Sequence, residues 1–277
     1  MAEVLKAATT RLEDGGIDSP RLDAEILLAH VLKWRRLNLY INDEKILPLE
    51  SVLKFNELIN RRLEGVPVAY LTGTKDFMGL SFAVNDKVLI PRPETEILTE
   101  YVGEYLRGLG GEIILADFGA GSGAICISIL KFVKTARAVA VDISAAALEV
   151  AKFNAEKFHV EDRIEFFCGD LFAPLTGKFN AIVSNPPYIP TCELETLQAE
   201  VKQEPRLALD GGEDGLNFYR RIISDAPSFL VSGGLLAVEI GVNQASEVKK
   251  IFKAANFIDI TILKDLAGIE RVAAGVI

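Results

Sequence analysis

The sequence predicts an α/β protein with a mostly parallel sheet, preceded by a small helical bundle and a β-hairpin connector. Three observations carry this. From about residue 91, short apolar runs alternate with helical stretches, the pattern of parallel strands joined by helices that cover both faces. From about residue 3 to 64 the apolar spacing is helical throughout. Between the two, residues 77–84 read as a strand or hairpin. The expected boundaries are therefore 1–72 for the helical domain, 73–90 for the connector and 91–277 for the α/β domain.

In the first region, Ser19 before Pro20 has the form of an N-cap followed by proline at the first helical position. Leu22, Ile26, Ala29 and Lys33 follow one face of that helix, and Leu28, Val31 and Leu32 widen the apolar stripe. A later helix runs through Val52, Phe55, Leu58, Ile59 and Leu63, with Gly65 placed to end it. In the connector, Asn85-Asp86 is the expected turn. Five strands are then expected at Ile113-Ile114-Leu115-Ala116, Ala138-Val139-Ala140-Val141, Ile164-Glu165-Phe166-Phe167, Ala181-Ile182-Val183 and Leu235-Leu236-Ala237-Val238. Helices over 145–158 and 217–230 lie between them.

Composition narrows the function. The chain has 277 residues, 49% of them apolar, enough for a substantial core. Thirty basic against 39 acidic residues give a net charge of −9, which argues against a broad nucleic-acid surface. No apolar run approaches the roughly 20 residues that span a bilayer, and the N-terminus lacks a signal-peptide pattern. Cys126, Cys168 and Cys192 are far apart, without a Cys-x-x-Cys. A disulfide framework or zinc site is not expected, and a reducing cytoplasm is the natural setting. With only His30 and His159, both read as structural, neither a histidine triad nor a multi-histidine metal site is expected.

Chemistry gathers at four strand ends. Asp117-Phe118-Gly119-Ala120-Gly121-Ser122-Gly123 follows the first strand and opens a helix. Its glycines permit a tight turn and close approach of a ligand to the backbone. The spacing is not that of a dinucleotide-binding fingerprint, and the loop lacks the lysine of a P-loop. Asp142 closes the next strand, where a carboxylate can accept from both hydroxyls of a ribose; it can equally cap the helix after Ser144. Asp170 and Leu171 follow the third strand, where they can meet an adenine amine and its ring, or form a plain turn. Asn185-Pro186-Pro187-Tyr188 follows the fourth. Two prolines fix two φ angles and remove two donors, leaving one amide, unpaired carbonyls and an aromatic face. The Asn185 side-chain oxygen and the Pro186 carbonyl can both accept from a planar NH2 group, and Tyr188 can cover its other face. Parallel topology places all four loops at one edge of the sheet.

This ordered set resembles a class I S-adenosylmethionine-dependent methyltransferase acting on planar nitrogen. More narrowly, the chain resembles the HemK/PrmC family of release factor glutamine methyltransferases, over nearly its whole length. The more specific motifs are Arg62-x-x-Gly65-x-Pro67-x-x-Tyr70-x-x-Gly73 and Ile90-Pro91-Arg92-Pro93-Glu94-Thr95-Glu96. Further matches are Glu204-Pro205, Leu209-Asp210-Gly211-Gly212, Asp214-Gly215-Leu216, Glu239-Ile240-Gly241 with Gln244, and Asp265-x-x-Gly268-x-x-Arg271.

The resemblance implies a Rossmann-like class I methyltransferase sheet behind a helical, substrate-gripping N-terminal domain. It implies S-adenosylmethionine as cofactor, with S-adenosylhomocysteine as product. Gly119, Ala120, Gly121, Ser122 and Gly123 would wrap the methionine end, Asp142 would bind the ribose, and Asp170 and Leu171 would flank the adenine. Arg92, Pro93, Glu94 and Thr95 would close over the cofactor; as plain residues, Thr95 and Glu96 read as a helix cap and a dipole partner. Asn185, Pro186, Pro187 and Tyr188 would hold the methyl acceptor, with Asn185 also bordering the cofactor. The implied substrate is the N5 amide of a glutamine in a peptide chain release factor, acted on by a cytoplasmic monomer with no membrane partner and no nucleic-acid substrate. Adenine N6 methylation is the alternative that the Asn185-Pro186-Pro187-Tyr188 edge shares. The acidic balance and the N-terminal bundle weigh against it, and the glycine spacing weighs against a nicotinamide oxidoreductase.

Overall fold

A computed structural model describes residues 1–277. The chain forms two compact units, Met1–Thr74 with Gln198–Gln203, and Lys75–Leu197 with Glu204–Ile277. No helix is long and apolar enough to cross a membrane.

The first unit is helical: α1 (Ala2–Asp14), α2 (Pro20–Leu32), α3 (Leu37–Ile41), α4 (Leu49–Leu63) and α5 (Val68–Thr72). Leu5, Ala8 and Leu12 of α1 meet Leu27 and Leu28 of α2 and Phe55 and Ile59 of α4 in one core. The face of α2 differs from the expected one. Leu22 is 41% exposed, while Asp23 and Glu25 are buried beside Ala24, Leu27 and Leu28. Polar residues can occupy that face because each is paired. Arg62 Nε donates to Asp23 at 2.7 Å, and Arg21, Arg36 and Tyr40 all bond Glu25. Arg62 also pairs with Glu200 at 3.2 Å, which ties the Gln198–Gln203 segment into this unit. A side chain at Gly65 would press on Ala199, its ideal Cβ lying 3.2 Å from the alanine Cβ.

The second unit opens with the hairpin β1 (Thr74–Phe77) and β2 (Leu80–Ala83). Its turn is Met78-Gly79, not Asn85-Asp86. Both residues have positive φ, +50° and +70°, the geometry of a two-residue hairpin whose twist matches its strands. There follow α6 (Thr95–Arg107), β3 (Ile113–Phe118), α7 (Ala124–Phe132), β4 (Ala136–Asp142), α8 (Ala145–Lys157), β5 (Ile164–Cys168) and β6 (Phe179–Ser184). The chain ends with α9 (Asn217–Asp225), β7 (Leu230–Glu239), α10 (Ala245–Ala254), β8 (Ile258–Lys264) and β9 (Glu270–Val276). The helix expected over 217–230 stops at Asp225 because Pro227 cannot continue the backbone ladder.

The sheet has seven strands in the order β5-β4-β3-β6-β7-β9-β8. The first five are mutually parallel, and β9 runs antiparallel to both neighbours. The mostly parallel sheet is thus present, extended by an antiparallel pair that the sequence reading does not include. Two apolar layers cover the faces, one built on Leu98, Val102 and Ile127 and the other on Tyr219, Ile222 and Phe252. Strand order reverses at β3, whose neighbours are β4 and β6. That switch point is where an open α/β sheet leaves a crevice at its carboxyl edge.

Removing Arg62 strands a buried carboxylate. Arg62→Ala is expected to lower stability by about 3 kcal/mol, read from denaturant unfolding followed by helical circular dichroism.

Candidate active site

Strand register aligns the site. Phe118 pairs with Val141 on one side and Ser184 on the other, Asp142 with Cys168, and Ser184 with Val238. The loops after β3, β4, β5 and β6 therefore leave the sheet at one edge. Between them lies a cavity of about 230 Å3. Of the residues singled out from the sequence, Gly119, Gly121, Asp142, Asp170, Leu171, Asn185, Pro186 and Pro187 line it. Ala120, Ser122, Gly123, Tyr188 and the Arg92 to Thr95 stretch do not.

The glycine loop is held from beneath. The Gly119 and Ala120 N–H groups both bond the Val141 carbonyl, and Gly119 and Gly121 have φ of +69° and +55°. An ideal Cβ at either would meet nothing closer than 3.8 Å, so the loop's open side is free for a ligand. Gly123 serves the backbone instead, with φ +76°, and a Cβ there would also stand 2.7 Å from Ile127 Cδ1. Asn154 of α8, fully buried, bonds both backbone groups of Ala83 and the Ser122 carbonyl. It joins the hairpin to the glycine loop, and no motif in the sequence marks it.

Asp142 does two things at once. One carboxylate oxygen accepts from Gly121 N–H at 2.8 Å, the other from Ser144 N–H at 2.9 Å, and Ser144 caps α8 through Ala147 N–H. A carboxylate has about four lone-pair sites, so each oxygen retains capacity toward the cavity. Burial raises its pKa, and the Ser144 and Gly121 N–H groups oppose that rise. In the same lining, Leu171, with φ +49°, and Phe218 of α9 offer apolar walls suited to a planar ring. Asp170 pairs with Arg221 at 2.7 Å at the rim.

Asn185 is oriented from outside its own loop. Its Nδ2 donates to Thr95 Oγ1 at 3.2 Å, and Thr95 donates to Glu239 Oε2 at 2.5 Å. The N-cap position of α6 is Glu94, without a side-chain bond, so Thr95 does not cap the helix. Glu96 accepts from Met78 N–H at 2.6 Å. Arg92 pairs with buried Glu204, which also accepts from Ile90 N–H. Residues Lys87, Val88 and Leu89, earlier in the chain, supply the cavity wall instead. No backbone N–H reaches the Pro186 carbonyl.

Tyr188 sits behind the cavity. Its carbonyl accepts from Gln244 Nε2 at 3.0 Å, and Gln244 in turn accepts from Gly241 N–H and Tyr219. Gly211 and Gly215 allow the backbone of Tyr188 to pass, since a Cβ on either would lie 2.7 Å from Tyr188 Cα or 2.4 Å from its carbonyl oxygen. These glycines are close-approach positions and not merely turns. Burial, reinforced by the Glu239 charge, raises the Tyr188 phenol above its usual range, so it stays protonated. No group of three or more histidine, cysteine or acidic residues is arranged to hold a metal ion.

Residues 3–73 match the PrmC N-terminal domain model, and residues 95–213 match the methyltransferase small domain model. The release factor glutamine methyltransferase of Moorella thermoacetica is 44% identical over 98% of this chain and 96% of its own. That of Geobacter sulfurreducens is 43% identical over 95% and 92%. The chain belongs to the release factor glutamine methyltransferase family. Two solved structures share its fold. A methyltransferase from Pyrococcus furiosus is 20% identical, with a TM-score of 0.54 over 78% of this chain and 96% of that one. The hMettl16 catalytic domain in complex with a MAT2A 3′UTR hairpin is 17% identical, with a TM-score of 0.58 over 72% and 76%.

In this family member a second acid lies beneath the glycine loop. Asp117 is fully buried, accepts from Cys126 N–H at 3.1 Å through one oxygen, and leaves the other without a partner. Burial raises its pKa to about 7, against the Cys126 bonds and with a smaller push from Asp142. The folded chain keeps a proton that the unfolded chain, with an ordinary aspartate pKa of 3.8, has released. Stability from this group is full at low pH and is lost as pH rises toward 7, at about 1.4 kcal/mol per pH unit. Asp117→Asn is expected to remove one proton's worth of that slope, measured by denaturant unfolding at several pH values between about 4.5 and 6.5.

Proposed function

We propose that this protein transfers a methyl group from S-adenosylmethionine to the N5 side-chain amide nitrogen of a glutamine in peptide chain release factors, in the cytoplasm. The observation that carries the reading is the Asn185 amide. Its NH2 end donates to Thr95, and Asn185 lines the same cavity as Asp142, Gly119 and Gly121.

The residues present fit the cofactor. The free side of Gly119 and Gly121 takes a chain passing close to the backbone. The spare lone pairs of Asp142 take two adjacent hydroxyls. Leu171 and Phe218 take the faces or edges of a purine, with Asp170 at its rim. When bound, S-adenosylmethionine supplies an electrophilic methyl group on sulfonium sulfur.

The rest falls to this chain. A glutamine amide nitrogen is a poor nucleophile because its lone pair is delocalised into the carbonyl. Asn185 Oδ1 and the Pro186 carbonyl accept its two N–H bonds, fix the plane of the NH2 group, and stabilise the positive charge that grows on nitrogen as the new N–C bond forms. One of those protons becomes acidic only as the methyl group arrives and then leaves to solvent. No strong base is needed beforehand, and the protonated phenol of Tyr188 is not one. Pro186 and Pro187, which line the cavity, keep water from the other face, and Tyr188 lies outside that lining.

With labelled cofactor and, in parallel, a release factor and DNA, label is expected on a release-factor glutamine; label on adenine alone would overturn the reading. Asn185→Ala is expected to cut transfer by about 100-fold or more while calorimetry finds cofactor affinity little changed. Asp142→Ala is expected to weaken that affinity by about 100-fold, as loss of two charge-assisted hydrogen bonds requires; an unchanged dissociation constant would remove Asp142 from the cofactor site.

A further inference from the structure

The Asn185 amide is held by two residues that do not line the cavity. Thr95 begins α6 and is 4% exposed; Glu239 ends β7 and is 2% exposed. A threonine hydroxyl has one proton to give. Here it goes to Glu239 Oε2 at 2.5 Å. Only the lone pairs of Thr95 Oγ1 remain for Asn185, so the NH2 end of the amide must face it, as it does at 3.2 Å. With the amide reversed, Asn185 Oδ1 would meet those lone pairs and lose the bond. The other carboxylate oxygen of Glu239 faces the Tyr188 hydroxyl at 3.5 Å, so the same acid meets one end of the Asn185-Pro186-Pro187-Tyr188 loop directly and the other through Thr95.

We propose that Thr95 and Glu239 are positioning residues for methyl transfer: the carboxylate sets the direction of the Thr95 hydroxyl, and the hydroxyl decides which end of the Asn185 amide meets the acceptor nitrogen. The proposal rests on the amide-methylation reading and extends it to two side chains outside the cavity. It also gives a role to Thr95 in the Pro91-Arg92-Pro93-Glu94-Thr95 entry and to Glu239 in Glu239-Ile240-Gly241, which the cofactor and acceptor do not account for.

Ionisation of Glu239 matters to this arrangement. Burial pushes it up to about 7, the Glu94 charge adds to the rise, and the Thr95 bond, Arg271 and the Tyr188 hydroxyl oppose it. Tyr219 of α9 also feels the Glu239 charge. Thus the groups facing the acid come from the start of α6, the loop after β6, α9 and β9. Protonated Glu239 becomes a donor to Thr95, which can then turn its own proton toward Asn185 and release the amide from its single orientation. Transfer is therefore expected to rise as pH rises through about 7 and to level off above it.

Thr95→Val removes the hydroxyl at nearly constant volume. It is expected to lower kcat about tenfold, the worth of one hydrogen bond, with KM little changed, and Thr95→Ser is expected to recover the loss. On an Asn185→Ala background Thr95→Val is expected to do nothing further, because the side chain it orients is gone. The relay is overturned if Thr95→Val stays within twofold of wild type, or if its loss multiplies with that of Asn185→Ala. Glu239→Gln keeps the shape and is expected to abolish the acid limb; a retained limb overturns the role of Glu239, and this variant decides the matter should Thr95→Val not fold. A readout without turnover separates the relay from the reaction itself. The Asn185 side-chain NH2 signals in a 1H–15N spectrum, identified by their loss in Asn185→Ala, are expected to shift in Thr95→Val and not in Thr95→Ser. Unmoved signals in Thr95→Val sink the relay even in an active enzyme, whereas wild-type inactivity on a release factor sinks only the proposed reaction.

Discussion

Where β3 meets β6, Phe118 lies opposite Ser184, and the Ser184 hydroxyl donates to the Phe118 carbonyl at 2.8 Å. Strand order reverses here, and the two loops that carry most of the chemistry leave the sheet side by side. The Asn185 carbonyl lies within 3.9 Å of where a Gly119 Cβ would stand. A slip of one residue in this pairing would turn every buried side chain of β6 to the other face. Ala181, Ile182 and Val183 are all fully buried, so the register is held by both apolar layers. The glycine loop and the Asn185 loop inherit their spacing from that core.

Around this junction the protein buries acids in different degrees of satisfaction. Asp142 has a backbone N–H on each oxygen and capacity left over. Glu239 is bonded through both oxygens to side chains of the acceptor loop and α6. Asp117 has one oxygen unsatisfied and sits deepest. Burial favours the protonated form of a carboxylate, which is why Asp117 and Glu239 are both displaced to about 7. Such displaced groups gather where a fold accepts local cost for an arranged polar edge.

The acceptor loop itself has little freedom. Pro186 and Pro187 stiffen it, the Tyr188 carbonyl is anchored by Gln244, and Ile189 exchanges bonds with Leu209 and Gly211. Gly211 and Gly215 are small because backbone passes where a Cβ would be. The result is an edge preorganised before any ligand arrives, which is what electrostatic stabilisation of a developing charge requires.

Much of this was legible in the chain. Apolar runs at strand length, separated by helical stretches, report a parallel sheet because both of its faces must be buried. Glycines, strand-end acids and a double proline report a site because each breaks the local rules that regular structure obeys. What stayed hidden has a common cause. Asp23 and Glu25 lie outside the apolar stripe read from the sequence, and only Arg62 and Arg36, brought from outside α2, explain their burial. Asn154 looks like any helix residue until the hairpin supplies its partners 71 positions away. Thr95 reads as a helix cap until β7 brings Glu239 from 144 positions away. Local pattern determined the elements and the ligand-facing loops, since these depend on backbone preference and periodic burial. Which polar side chain pairs with which was decided only by the tertiary structure, because a hydrogen bond needs its partner within about 3 Å and sequence distance carries no information about that.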